Sequence, residues 1–235
     1  MLKAGAIISV SQATKLEIVK NLHISPDKIF VVYEAVEDYF KPQPIHVYQT
    51  IKEKYHLPDR FILHVGTNTN YKNIPVLLKT FRALLNKNNS LYLVKAGTMW
   101  TEEQRILITS LGLNERIIHL GFLPRKSLPA LYSLATCLYY PSIIEGFGFP
   151  VLEAMSCGCP VITSDTPAMV EISSDAAIHI NNDVSKQTIQ QISTIINNDK
   201  MRHMYKQRGL SRSRYFSPTK MANQTFQIYK KLLPI

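Results

Sequence analysis

The chain is 235 residues long, which is room for one large domain, or for one domain and a fragment of another. At 46% hydrophobic and 19% charged residues it reads as globular rather than disordered, and its longest apolar run, near residues 134–140, is too short to span a bilayer. A formal charge of +10 favours anionic partners, but the densest basic stretch (Arg202, His203, Lys206, Arg208, Arg212, Arg214) reads as the solvated face of late helices, so nucleic acid is not expected.

Residues 4–10 are too few for a secretory leader and run straight into a helix-like segment, so they read as a strand. A helix over 12–22 and a strand over 29–32 follow, giving one strand–helix–strand unit within residues 1–40. Residues 37–49 carry Pro42 and Pro44 and read as a linker, which is set at 41–58. From there apolar runs of strand length alternate with amphipathic runs of helix length. Strands are expected at 61–65, 91–95, 117–120, 136–140, 160–163 and 177–180, and helices at 75–85, 102–111, 128–135 and 151–156. Within 75–85, Leu77, Leu78, Phe81, Leu84 and Leu85 recur at helical spacing. The tail reads as helix over 185–197, 200–209 and 218–233, the last opened by Ser217-Pro218. Repeated strand–helix alternation means an α/β fold with a doubly wound parallel sheet covered on both faces. Ligands bind such sheets beyond the carboxyl ends of the strands.

The odd count of three cysteines, Cys137, Cys157 and Cys159, argues against a disulfide framework in a chain of this size, and Cys157-Gly158-Cys159 lacks the two-residue spacer of a zinc or redox motif. Core filling in a reducing compartment is expected. The histidines show no ligand spacing, His64 and His119 fall in apolar strands, and no Asp-x-Asp motif accompanies a phosphate site, so no metal and no cofactor are expected.

The stretch with most chemistry runs from Pro141 through Glu145-Gly146-Phe147-Gly148-Phe149-Pro150 to Glu153, after a strand and into a helix. Gly146 and Gly148 allow a tight turn and a close backbone approach to a ligand. Pro150 suits a first helical turn, whose free N–H groups and positive dipole end hold an anion. Glu145 and Glu153 flank that turn within reach of one pocket, and a carboxylate beside a phosphate cradle suits the hydroxyls of a sugar or ribose.

Two glutamates eight apart around Gly-Phe-Gly-Phe-Pro resemble the signature of GT-B glycosyltransferases of the retaining, family 4 type. Gly121-Phe122-Leu123-Pro124 and residues 128–135 resemble the segments before that signature, and residues 152–162 resemble its continuation. The resemblance implies the Rossmann-like, C-terminal donor-binding half of a GT-B fold over 59–216. It also implies a crossover helix over 217–235 and a remnant of the N-terminal acceptor domain over 1–40. Glu153 would bind the ribose hydroxyls of a nucleoside-diphosphate sugar, and Glu145 would lie at the reaction centre. The backbone of Gly146, Phe147, Gly148 and Phe149 would hold the sugar hydroxyls and the diphosphate. The loop Gly66-Thr67-Asn68-Thr69-Asn70-Tyr71-Lys72 resembles the family's glycine-to-lysine loop, with Gly66 and Thr67 lining the donor and Lys72 neutralising the leaving diphosphate. Gly97 to Trp100 and Gly121 to Leu123, with Phe122, would flank the nucleobase.

The chain departs from the family in that loop, where relatives place an arginine after the glycine or before the lysine and this chain has Thr67 and Tyr71. Arg125 is the candidate replacement. Where relatives read Asn-Gly-Val-Asp, this chain reads Glu34-Ala35-Val36-Glu37. The resulting expectation is a cytoplasmic hexosyltransferase, peripheral at an anionic membrane, that supplies the donor-binding half beside a separate acceptor-binding chain or a second copy. The apolar residues of the last helix are expected to be partly exposed toward that partner. The alternative is a non-catalytic domain that binds a nucleotide sugar or a partner.

Overall fold

The computed structural model describes residues 4–86, 88 and 90–233. In chain order its elements are β1 (Ile7–Ser9), α1 (Gln12–Leu22), β2 (Ile29–Val31), α2 (Ile45–Lys54), β3 (Phe61–Gly66), α3 (Ile74–Leu85), β4 (Tyr92–Gly97) and α4 (Glu102–Ser110). They continue with β5 (Ile117–His119), α5 (Leu128–Leu134), β6 (Cys137–Tyr140), α6 (Phe149–Ser156), β7 (Val161–Ser164), α7 (Pro167–Ser173), β8 (Ala177–Ile180), α8 (Lys186–Asn197), α9 (Asp199–Ser213) and α10 (Pro218–Leu232).

The near-continuous apolar run of β3 cannot face water on either side, so it lies inside the sheet. Among the described residues six strands form one sheet in the order β5-β4-β3-β6-β7-β8, every pair parallel. Side chains alternate between two layers. Phe61, Leu63, Val94, Leu138 and Tyr140 meet Leu131 of α5, Leu152 of α6 and Met169 of α7 on one face. Ile62, Leu93, Cys137 and Tyr139 meet Leu77 and Phe81 of α3, Ile108 of α4 and Ile192 of α8 on the other. Leu77 and Phe81 are fully buried, each contributing about 1.5–3 kcal/mol of transfer free energy. The chain winds outward from β3 through β4 to β5, then returns to β6 and winds the opposite way to β8. The winding therefore reverses between β3 and β6, and a crevice opens beyond their carboxyl ends. The doubly wound α/β expectation holds, and the three cysteines are free and buried.

Two helices were not legible in the sequence. The stretch read as linker contains α2, which starts directly after Pro44, with the Val47 and Tyr48 N–H groups donating to the Pro44 carbonyl. α2 buries no residue fully, so it lacks a strong apolar stripe, although its Ile51 packs partly buried against the core that Leu57, just after it, joins. The second is α7, seven residues long and opened by Pro167.

β1 and β2 form a separate parallel pair, and α1 leans from it onto α7. The Glu171 carboxylate of α7 accepts hydrogen bonds from the Gln12 and Ala13 N–H groups at 2.7 and 2.9 Å, so it caps the start of α1 beside the cap that Ser11 supplies. α10 returns to this pair: Lys231 stands over the Phe30 ring of β2, and Ile228 is buried. Phe226, Tyr229, Leu232 and Leu233 of the tail remain exposed. Among the described residues no helix is long and apolar enough to cross a membrane.

Candidate active site

Two loops meet at the crevice between β3 and β6. After β3, residues 70–72 form a single helical turn, closed by the Lys72 N–H donating to the Thr69 carbonyl at 2.8 Å. After β6, the Ile143 N–H donates to the Tyr71 carbonyl at 2.7 Å and ties the second loop to the first. Gly97 keeps the neighbouring strand end close: its φ is +124°, and a β-carbon there would collide with the Gly66 carbonyl.

This arrangement brings Lys72 and Glu145 together. The Lys72 ammonium donates to Glu145 Oε1 at 2.5 Å and to the Tyr140 hydroxyl. The same carboxylate oxygen accepts from the Tyr140 hydroxyl at 2.8 Å and from Ser142 Oγ at 2.7 Å. The lysine and glutamate side chains are each only 10% exposed, and the ammonium faces the Tyr140 and Tyr71 rings at 4.7 and 5.1 Å. Burial, with the Glu145 charge beside it, holds the Tyr140 hydroxyl well above its usual range, so it is a donor and not a base. Tyr140 and Ser142 escaped the sequence reading because nothing in their spacing distinguishes them from the end of a buried strand.

The glycine turn supplies the wall opposite. Gly148 has φ +96°, and a β-carbon there would strike the Met169 side chain; it leads into α6, where Pro150 sits in the first turn. The Gly146 carbonyl is held from outside the sheet by Ser11 Oγ at 2.7 Å and Thr14 Oγ1 at 3.1 Å. Phe147 is buried against Phe216, whereas Phe149 is partly exposed. A cleft of about 480 Å³ opens between α1 and this turn, with Thr14, Glu17, Ile144, Glu145 and Gly146 in its wall.

Glu153 belongs to a different network. It is buried in α6, where the Tyr132 hydroxyl donates to Oε2 at 2.8 Å and Arg125 reaches Oε1 at 3.0 Å. Arg125 also forms a two-pronged pair with Glu37, at 3.0 and 2.9 Å. Burial pushes the Glu153 carboxyl up despite Tyr132 and Arg125, while the Arg125 hydrogen bonds pull Glu37 down to about 2. Arg125, the candidate for the missing loop arginine, is thus held between two carboxylates. Glu145 and Glu153 share no hydrogen-bond partner among the described residues.

The remaining predicted positions lie along the strand ends. Thr67 is exposed, with its hydroxyl 3.1 Å from that of Thr69, and Phe122 after β5 is 77% exposed. Trp100 is buried, packed against Lys95 and His119. His64 is fully buried, its Nδ1 3.1 Å from the Tyr139 carbonyl, and burial pushes it down to about 3, so the ring is neutral.

The family model for glycosyl transferases group 1 matches residues 48–212. O-antigen chain mannosyltransferase B of Escherichia coli is 31% identical over 234 residues, covering 97% of this chain and 61% of that protein. This chain therefore spans about three-fifths of the length of that relative. A glycosyltransferase from Rickettsia africae superimposes with a TM-score of 0.86 at 23% identity, over 98% of this chain and 64% of that one. HepE of Anabaena, crystallised with UDP and glucose, superimposes with a TM-score of 0.86 at 18% identity, over 99% and 64%. At such identities these two structures speak to the fold alone.

Proposed function

The chain belongs to the glycosyl transferases of group 1, and from that premise we propose that it is the donor-binding half of a retaining, family 4 type GT-B enzyme. In this reading a nucleoside-diphosphate sugar lies across the crevice between β3 and β6, and its sugar passes to an acceptor hydroxyl. The observation that carries the proposal is the Lys72–Glu145 pair at the reversal of the sheet, assembled from two loops far apart in the chain.

Each residue then has work to do. As the bond between sugar C1 and the diphosphate oxygen breaks, its electron pair goes to that oxygen, the acceptor oxygen bonds C1, and the acceptor's proton passes to the departing diphosphate. Lys72 and the N–H groups at the start of α6 meet the developing charge as fixed donors, so the reaction asks for no divalent ion. Glu145, fixed by three donors on one oxygen, faces the sugar with the other. Glu153 takes the ribose hydroxyls, with Tyr132 and Arg125 orienting it. Phe122 and the 97–100 turn flank the base. The donor sugar is a hexose, with mannose first to try because the Escherichia coli relative is a mannosyltransferase. UDP and GDP are both to be tested. The acceptor side, contributed by a separate chain or a second copy, and an anionic membrane surface as the place of work belong to the same proposal.

Calorimetric titration with UDP, GDP and ADP, and then with their hexose conjugates, tests this. One nucleotide is expected to bind saturably and to lose affinity in Glu153→Gln. A folded chain that binds none of them would sink the donor-site reading. The non-catalytic alternative draws on one observation, that Arg125 closes on the carboxylate assigned to the ribose. Binding without sugar transfer to any acceptor extract would favour it.

A further inference from the structure

The proposed reaction leaves unused a row of basic side chains beside the Lys72–Glu145 pair. His64 on β3, Lys95 on β4 and His119 on β5 are partners in register, so all three lie on one face of the sheet. Lys95 is the anomaly. Its side chain is fully buried, and among the described residues no ion pair includes it. A buried charge is ordinarily neutralised by a partner, so a lysine that keeps this place has another role in the structure.

Its contacts show what it holds. The Lys95 ammonium donates to the Thr98 carbonyl at 2.5 Å and stands 4.8 Å from the centre of the Trp100 ring. His119 Nε2 lies 3.1 Å from the same carbonyl, and its ring is 5.6 Å from that of Trp100. From the opposite loop, Asn68 Nδ2 donates to the next carbonyl, that of Met99. Side chains from three segments thus draw two consecutive carbonyls of one turn toward themselves. In a planar trans peptide the N–H points opposite to the C=O. The N–H groups of Met99 and Trp100 are therefore turned away from Lys95, His119 and Asn68, at a turn whose Met99 side chain is 67% exposed.

We propose that Lys95 is a positioning residue for the donor: it sets the 98–100 turn so that the Met99 and Trp100 N–H groups receive the acceptor atoms of the nucleobase. The inference rests on the donor-site reading above and says which backbone groups read the base. The groups facing Lys95 are His64 from β3, His119 from β5 and the Trp100 ring from the turn, with Lys72 beyond His64. His64 is neutral, and burial lowers His119 as well; among the described residues no carboxylate forms an ion pair with the lysine. Burial brings Lys95 itself down to about 8. The charge-assisted hold on Thr98 is full below that pH and weakens above it. Donor binding favours the protonated form and must in turn raise the lysine's affinity for its proton.

Trp100 is the chain's only tryptophan, so its emission reports on this turn directly. Emission of the full chain is followed from pH 6.5 to 9.5 (roughly a decade and a half either side of the transition), with and without the nucleotide that binds. The expected result is one transition near pH 8, moved upward by nucleotide and absent in Lys95→Met, whose linear side chain fills the same space. Lys95→Met is also expected to raise the nucleotide dissociation constant about tenfold at pH 7 and to abolish its rise above pH 8. Asn68→Ala, which frees the Met99 carbonyl from the other side, is expected to weaken binding too while leaving the emission transition in place. Nucleotide bound alike by the parent and both variants, with one pH profile, would overturn the inference and leave the donor site standing. A parent that binds no nucleotide would overturn both.

Discussion

Replacing Lys72 by Met removes the ammonium and keeps the length of the side chain. Glu145 would then sit 10% exposed with only the Tyr140 and Ser142 hydroxyls on Oε1. Breaking one side of a buried ion pair costs about 3–5 kcal/mol, and two surviving hydroxyl donors and some residual solvent reduce this to about 2–3 kcal/mol. For a chain of this size each kcal/mol moves the melting temperature by about 2–4 °C, so a drop of roughly 4–12 °C is expected by circular dichroism. Adding Glu145→Gln removes the stranded charge and should recover part of the loss, because replacing both partners costs less than orphaning one. The functional arm is separate. Lys72→Met should weaken binding of the nucleoside diphosphate by about tenfold or more and leave the free nucleoside unaffected. Where transfer is measurable, kcat should fall about 100- to 1,000-fold. A Lys72→Met chain that melts with the parent, whose second substitution is merely additive, and that binds the diphosphate as before would refute the reasoning.

Gly97→Ala places a methyl group against the Gly66 carbonyl at a φ of +124°, and a loss of about 2–4 kcal/mol is expected in a urea titration. Glu171→Ala removes the carboxylate cap of α1 and should cost about 1–2 kcal/mol, with hydrogen exchange rising first at the α1 amides. Glu37 is held down to about 2 by Arg125, so its contribution is present above the usual carboxylate range, near pH 4.5, and is lost as pH falls toward 2; Arg125→Gln should remove that acid limb from a plot of unfolding midpoint against pH. Glu153 shifts the other way: its carboxyl is raised above 4.5 by burial, the folded chain binds the extra proton, and stability should fall as pH rises past 4.5, a slope that Glu153→Gln should flatten.

The sheet was legible because β3, β4, β6 and β7 are apolar on both faces, and such runs between amphipathic helices have few other solutions. The glycine turn was legible because Gly148 and Pro150 sit where backbone geometry demands them, whereas Gly146 has no positive φ and room for a β-carbon. What escaped depends on partners distant in sequence. Arg125 reads as a candidate diphosphate partner until the fold sets it against Glu37, 88 residues away, and Glu153. Lys95 reads as the polar end of a strand until its ammonium is seen over the Trp100 ring. α2 and α7 are held by what they lean on, not by their own pattern.

The register between β3 and β6 spans only Ile62↔Cys137 and Leu63↔Leu138, yet it joins segments 75 residues apart. Lys72 and Glu145 belong to opposite sides of that seam. During synthesis or refolding, β3, β4 and β5 can pair without creating any trace of the site, because its second half is not yet beside them. Closing the loop between β3 and β6 carries the entropy of a long excursion, which only the completed central pairing repays. The Lys72–Glu145 pair can therefore form only once β6 has docked beside β3, which makes it a late product of folding.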